Sequence, residues 1–167
     1  SVYEVNAGTA HLGEANDLYI VSTTGYIGTS RWTMTTAAND EGSVFALSTL
    51  ANAAHYVTVQ IRGTLPAAWD WSLDDSTYTA PALISTNGDW SLYGLAFVAG
   101  QANGSTALWV RQNGAGSATI SVDAIQAEAG TTWTTYCDGD QTGCEWDGEE
   151  HNSTSSRSAV TRAGGRW

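Results

Sequence analysis

The segment Tyr136 to His151, YCDGDQTGCEWDGEEH, gathers six acidic residues, two cysteines and three glycines. Clustered oxygens of this kind suit hard cations. With Asp138 at position 1, Asp140 falls at 3, Thr142 at 5, the turn glycine Gly143 at 6 and Glu149 at 12, the ligand spacing of a helix–loop–helix calcium loop. Neither flank carries a helical pattern, so two readings stand: a loop holding a structural Ca2+, or a solvated acidic turn. Cys137 and Cys144 enclose six residues. If their Cα atoms approach to about 5.5 Å, a disulfide closes the ring and contributes roughly 2–3 kcal/mol by loop entropy. The alternative is two free thiols, one packed beside Trp146. A zinc site is the weakest option, because His151 alone adds a soft ligand and the cysteine spacing is unusual for zinc.

A second chemistry is suggested by aromatic residues set among polar ones. A flat ring takes the C–H face of a sugar, while amides and acids orient its hydroxyls. In AAWDWSLDDSTY, Trp69 and Trp71 share one face of a strand, with Asp70 between them. Tyr56, Gln60 and Arg62 make a second aromatic and polar face, and Trp109 with Arg111 a third. The expected carbohydrate contacts are therefore Trp69, Trp71, Asp70, Tyr56 and Arg62. The competing reading makes the Trp69 and Trp71 pair half of a core face; Trp32 and Trp90 read as core. No catalytic constellation emerges. His11, His55 and His151 stand in no Ser-His-Asp pattern, and the glycine-rich AGQANGS and QNGAGS read as hairpin turns, not phosphate loops. A non-catalytic module is expected; the enzymatic alternative is a glycoside hydrolase using two of the 17 carboxylates.

The elements that must position these residues are strands. In YVTVQIR, Val57, Val59 and Ile61 alternate with Tyr56, Thr58, Gln60 and Arg62. TALWVRQ and ATISVDAI alternate likewise, and WSLYGLAFV is apolar on both faces, as a central strand is. Further strands are expected at 18–22, 31–36, 43–48, 69–73 and 81–85, separated by turns such as AANDEGS and STNGD. The regular spacing predicts an all-β antiparallel sandwich over residues 1–130. From 131 to 167 the alternation fades into an extended Ser/Thr/Gly-rich acidic tail.

The net charge is −11, all six basic residues are Arg, and the chain of 167 residues contains no Lys. Such a chain repels phosphate backbones and anionic bilayers, so neither nucleic acid nor membrane is an expected partner. No stretch of 18 apolar residues predicts a membrane helix. The opening SVYEVNAGTA lacks the basic and apolar regions of a signal peptide.

Two passages carry a resemblance. ATISVDAIQAEAGTTWTTY resembles the closing strand of carbohydrate-binding-module-like (galactose-binding-like) jelly rolls. YCDGDQTGCEWDGEEHNSTSSRS is similar to a segment that follows such domains in bacteriophage tail and other virion proteins. It departs from that pattern at Cys137 and at Glu149 and Glu150. The resemblance implies a two-sheet jelly roll. It also implies a structural Ca2+ between the N-terminal segment and the closing strand, with Asp123 and Glu4 as ligands. Its further implications are a virion or extracellular location in a tail, fibre or decoration component, an adhesive or structural role with host-surface glycans and other virion subunits as partners, and a homo-oligomer; the alternative is a purely structural module that docks neighbouring subunits.

Overall fold

The computed structural model describes residues 13–14, 17–21, 25–26, 31–47, 50–63, 68–105, 107–137, 142–147 and 155–157. The chain forms two compact units, Val2–Thr134 and, with Ser1, Thr135–Trp167.

In the larger unit the strands are β1 (Gly13–Glu14), β2 (Asp17–Val21), β3 (Arg31–Thr36), β4 (Glu41–Ala46), β5 (His55–Gly63) and β6 (Trp69–Ser72), then β7 (Ala82–Asn87) and β8 (Trp90–Phe97). A single helical turn, α1 (Ala99–Ala102), precedes β9 (Ala107–Gln112) and β10 (Ala118–Ala129). Six strands form one sheet in the order β2-β3-β10-β5-β8-β7, and four form the other in the order β1-β4-β9-β6. From β3 to β7 the chain changes sheet at every connection, and it does so again from β8 through β9 to β10. All pairings are antiparallel except the two-residue contact of β1 with β4. This alternation between facing sheets is the jelly-roll sandwich. WSLYGLAFV is not central, however. β8 lies second from the edge, beside β7, and the outer side of its first residue, Trp90, is covered.

The core is built by alternation. The six-stranded sheet sends in Met34, Val57, Val59, Ile61, Ile120 and Val122; the four-stranded sheet answers with Phe45, Leu108, Val110, Trp69, Trp71 and Leu73. Each such side chain, fully buried, stabilises the fold by roughly 1.5–3 kcal/mol. One buried polar network interrupts the apolar layer. The Thr36 hydroxyl donates to Gln112 Oε1 at 2.6 Å, and Gln112 Nε2 donates to the carbonyls of Gly114 (2.9 Å) and Gly116 (2.7 Å). Every strong group of that amide is matched, so the network fixes the turn between β9 and β10 without an orphaned polar atom.

The exposed edge of β6 is sealed locally. Thr79 pairs with Trp71 as a lone bridge. The loop between them is held by Arg111, whose guanidinium lies 3.6 Å from the Tyr78 ring centre and donates to Asp40 at 2.8 Å. Burial pushes the Tyr78 hydroxyl well above its ordinary value, and its bond to Asp75 at 2.7 Å adds to the effect.

In the smaller unit, β11 (Cys144–Trp146) pairs antiparallel with β12 (Ser155–Arg157). Cys137 and Cys144 form a disulfide with Cα atoms 5.9 Å apart. The stretch expected as an extended tail thus contains a short strand pair. Among the described residues no helix is long and apolar enough to cross a membrane.

Candidate functional site on the outer face of the six-stranded sheet

Alternation along β5 places Tyr56, Thr58, Gln60 and Arg62 on the side of the sheet away from the core. Register then defines four rows across this face: Thr33, Ser121, Arg62 and Trp90; Asp123, Gln60 and Leu92; Gln126, Thr58 and Gly94; Glu128, Tyr56 and Ala96. The face therefore combines two aromatic rings, two primary amides, two acids and a guanidinium.

Tyr56 is placed by an absence. Gly94, in the neighbouring row, has no side chain, and a Cβ there would lie 2.6 Å from Tyr56 Cε1, 3.0 Å from its hydroxyl oxygen and 2.6 Å from Ile84 Cδ1. The ring thus lies across β8 in the space the glycine leaves. Ile84 reaches the same spot because the β7 register slips between Leu83 and Ser85, leaving Ile84 as an extra residue.

A second irregularity shapes the other side. Between Asp123 and Gln126 the β10 register skips, so that Ala124 and Ile125 together oppose Val59. Ala124 sits at φ 47°, a left-handed conformation unusual for a residue with a Cβ. Asp123 stabilises the bulge: its Oδ1 accepts the Ala124 N–H at 2.7 Å, and its Oδ2 accepts the Tyr26 N–H at 2.6 Å. The latter bond draws Tyr26 over the face, where its ring meets Trp90 edge-on at 5.9 Å between centroids. This cover explains why Trp90 is buried although it points away from the core.

Between these features lies Gln60, only 7% exposed. Among the described residues no group hydrogen-bonds its amide. Among the described residues the fully buried side-chain atoms without a partner are Ser43 Oγ, Trp69 Nε1, Trp71 Nε1 and Arg111 Nε, not the Gln60 amide, which keeps contact with water where a ligand hydroxyl can meet it. Around it the other polar groups are anchored. Ser121 Oγ accepts from Arg31 Nε and shares a bond with Thr33 Oγ1, both at 3.0 Å. Arg62 pairs with Asp89 at 2.8 Å. Both oxygens of Glu128 accept from Thr134, through its backbone N–H at 2.8 Å and its hydroxyl at 2.5 Å. That fold-back keeps the chain at the Tyr56 end of the face, and the adjacent Trp133 is 39% exposed.

The sequence expectations divide accordingly. Tyr56 and Arg62 lie on the same outer face, three rows apart and both half-buried, with Thr58 and Gln60 buried between them. Trp69 and Trp71, expected as the main platform, do not. They are 5% and 0% exposed in the core, because the inner face of β6 packs against the six-stranded sheet. Asp70 points the opposite way and is held by Asn113 at 2.6 Å, with Arg111 at 3.8 Å. Asp123, expected as a calcium ligand, holds the bulge and Tyr26. Its proposed partner Glu4 lies outside the described residues, as do Asp138, Asp140 and Glu149 of the acidic loop; Thr142 is exposed in a turn. Among the described residues no group of three or more His, Cys, Asp or Glu side chains is gathered. Gln126, Glu128, Trp133 and Tyr26 were not singled out as site residues from sequence. None of them carried a usable positional signal: continued alternation from Ile120, Val122 and Ala124 would turn Gln126 and Glu128 inward, and only the bulge at Ala124 and Ile125 brings them out beside Thr58 and Tyr56.

No protein-family model matches the chain, and no curated protein matches it. Solved structures do. One is the CBM22-1 xylan-binding domain of Paenibacillus barcinonensis Xyn10C, at 11% identity and a TM-score of 0.47, covering 70% of this chain and 83% of that one. Another is the CBM22-1 and GH10 modules of Clostridium thermocellum xylanase 10B complexed with xylohexaose, at 12% identity and a TM-score of 0.48, covering 68% of this chain and 24% of that one. A third is the enzymatically active domain of tailspike protein 4 from bacteriophage CBA120, at 8% identity and a TM-score of 0.40, covering 70% of this chain and 18% of that one. With TM-scores below 0.5, these likenesses carry no weight for the site, which stands on its own geometry.

Proposed function

We propose that the sandwich is a non-catalytic carbohydrate-binding module that reads an uncharged glycan across the outer face of its six-stranded sheet. The observation that carries this reading is the Tyr56 ring laid over Gly94 two rows from the unpartnered Gln60 amide. A pyranose stacking its C–H face on the ring buries apolar surface. Gln60 and Arg62, about 13 and 20 Å further along the same strand, then meet hydroxyls of sugars further along the glycan, donating from nitrogen and accepting at the Gln60 carbonyl. A net charge of −11 disfavours polyanionic glycans. A binding role fits the acids better than catalysis does, since both oxygens of Asp123 and of Glu128 already accept hydrogen bonds from the protein itself.

The setting we infer is extracellular, in the tail, fibre or surface decoration of a phage virion, with host-surface glycan as ligand. The likeness of residues 136–157 to segments of virion proteins supports it, and so does the Cys137–Cys144 disulfide, which an oxidising environment maintains. A structural Ca2+ in the acidic loop belongs to the same proposal.

The test is a glycan array on the purified protein, with and without excess EDTA. Binding to neutral glycans that is lost on Tyr56→Ala is expected. Loss of that binding with EDTA ties a cation to the fold or the site. No binding in either condition, or binding confined to anionic glycans, overturns the reading.

A further inference from the structure

A sheet edge is a row of unpaired N–H and C=O groups, and natural proteins protect such edges with charge, proline, bulges, covering segments or brevity; β7 has one bulge, at Ile84, and beyond it the strand runs regularly from Ser85 to Asn87. The four edges of this sandwich are not equally protected. β1 is two residues long, β6 is paired with Thr79, and β2 contains Asp17. β7 is different. It is six residues, Ala82 to Asn87, hydrogen-bonded to β8 on one side, and every residue but Ile84 is exposed. The window Pro81 to Gly88, PALISTNG, holds no ionisable side chain in a chain of net charge −11. Leu83 within it is 57% exposed. The extra residue at Ile84 turns that side chain back onto the outer face, beside Tyr56, and leaves Ser85, Thr86 and Asn87 as a regular strand end.

We propose that β7 is a self-association edge, pairing antiparallel with β7 of a second copy of this chain. Charge selects the occupant. Two chains of net charge −11 repel over most of their surfaces, and this uncharged strip is where identical copies approach with the least repulsion. An antiparallel pair of identical edges is also self-complementary about a two-fold axis, so it closes as a dimer and does not propagate. Added backbone hydrogen bonds supply the affinity, and Leu83 of each copy is covered.

The dimer has a consequence for binding, and this part rests on the carbohydrate reading above. The two-fold axis stands perpendicular to the joined sheet, so both outer faces point the same way. Five inter-strand steps separate one β5 from the other, placing the two Tyr56 rows about 24 Å apart. A polymeric glycan then engages both faces, and retention on the polymer gains by effective concentration. Pairing along this short edge is smaller than a standard stable interface, so the dimer forms only at high protein concentration and more readily where copies are held side by side.

Sedimentation velocity from about 10 µM to 1 mM, a range that reaches the high concentrations a small interface needs, tests the edge directly. The wild-type chain is expected to move from the 17.6 kDa monomer toward a dimer, with amide exchange in β7 slowing as concentration rises. Leu83→Lys with Thr86→Lys changes only exposed positions and should keep the wild-type near-UV spectrum and Tm. It adds two positive charges to an acidic chain, which by itself favours association, so a monomer at all concentrations isolates the edge. A control with Ser117→Lys, exposed between β9 and β10, should still dimerise. A wild-type monomer at 1 mM, or a double variant that dimerises equally, overturns the proposal. Binding separates the two readings. Equal affinity of wild type and double variant for a short soluble glycan, with several-fold weaker retention of the variant on the polymer, supports both. Dimerisation without glycan binding sinks only the carbohydrate reading.

Discussion

Gly94→Ala perturbs the site without removing any group that would touch a ligand. The added methyl would sit 2.6 Å from Tyr56 Cε1 and from Ile84 Cδ1, about 1 Å inside ordinary carbon–carbon contact. Both atoms are at the ends of side chains, so they can move, and the backbone need not. Releasing the glycine from its entropic handicap in a strand returns roughly 0.5–1 kcal/mol, which offsets most of the strain of rotating two side chains away from their favoured positions. The expected change in stability is therefore within about 1 kcal/mol of zero. Binding should respond more strongly. Losing an aligned aromatic face removes about 1–2 kcal/mol, a fall of roughly 5- to 30-fold in affinity. Isothermal titration with the best glycan from the array measures the second quantity, and urea unfolding the first. Tyr56→Ala should weaken binding by at least as much. If Gly94→Ala leaves affinity unchanged while Tyr56→Ala abolishes it, the ring does not work from its position over Gly94. If Gly94→Ala unfolds the protein, the space above the glycine is needed for packing and the reasoning fails.

Other perturbations have separable outcomes. Gln60→Leu removes an amide that touches water at nearly constant volume, so it should leave stability within about 1 kcal/mol of the wild type while weakening glycan binding up to roughly tenfold; urea midpoints and titration calorimetry check the two halves. Ala124→Gly relieves the left-handed backbone at the bulge and should raise stability by about 1 kcal/mol, read as a higher Tm with binding retained. Asp74 links stability to pH. Partial burial pushes its carboxyl up, but the N–H groups of Thr77 and Ser76 and the Ser72 hydroxyl outweigh that and hold it at about 2, against an ordinary 3.8. Since the folded value is depressed, the contribution is present in full above pH 4 and is lost as pH falls toward 2. A ceiling of roughly 2 kcal/mol is cut by the exposure of Asp74 to about 1 kcal/mol. Asp74→Asn should flatten that part of the stability–pH curve in acid titrations.

The strands were legible because alternation is a local signal. In β5 the aliphatic Val57, Val59 and Ile61 and the polar Thr58, Gln60 and Arg62 leave no ambiguity about which side meets the core. The same logic applied to WDWS points the two tryptophans inward and Asp70 outward. The aromatic-platform expectation for Trp69 and Trp71 set that rule aside, and their burial restores it. Trp90 misled in the opposite sense. It is buried, as its type suggests, yet under Tyr26 on the outer face, because Asp123 anchors a residue 97 positions away.

By itself the sequence determined the all-β class, the strands, the inner and outer sides of β5 and the acidic, lysine-free surface that limits the ligands, since each depends on neighbouring residues or on a sum of charges. Only the tertiary structure decided which outward face became a site. The space above Gly94 that seats Tyr56, the bulge at Ala124 and the unpartnered state of Gln60 arise where β5, β7, β8 and β10 meet. Those strands are distant in the chain, and nothing in any one of them specifies the register at which the others arrive.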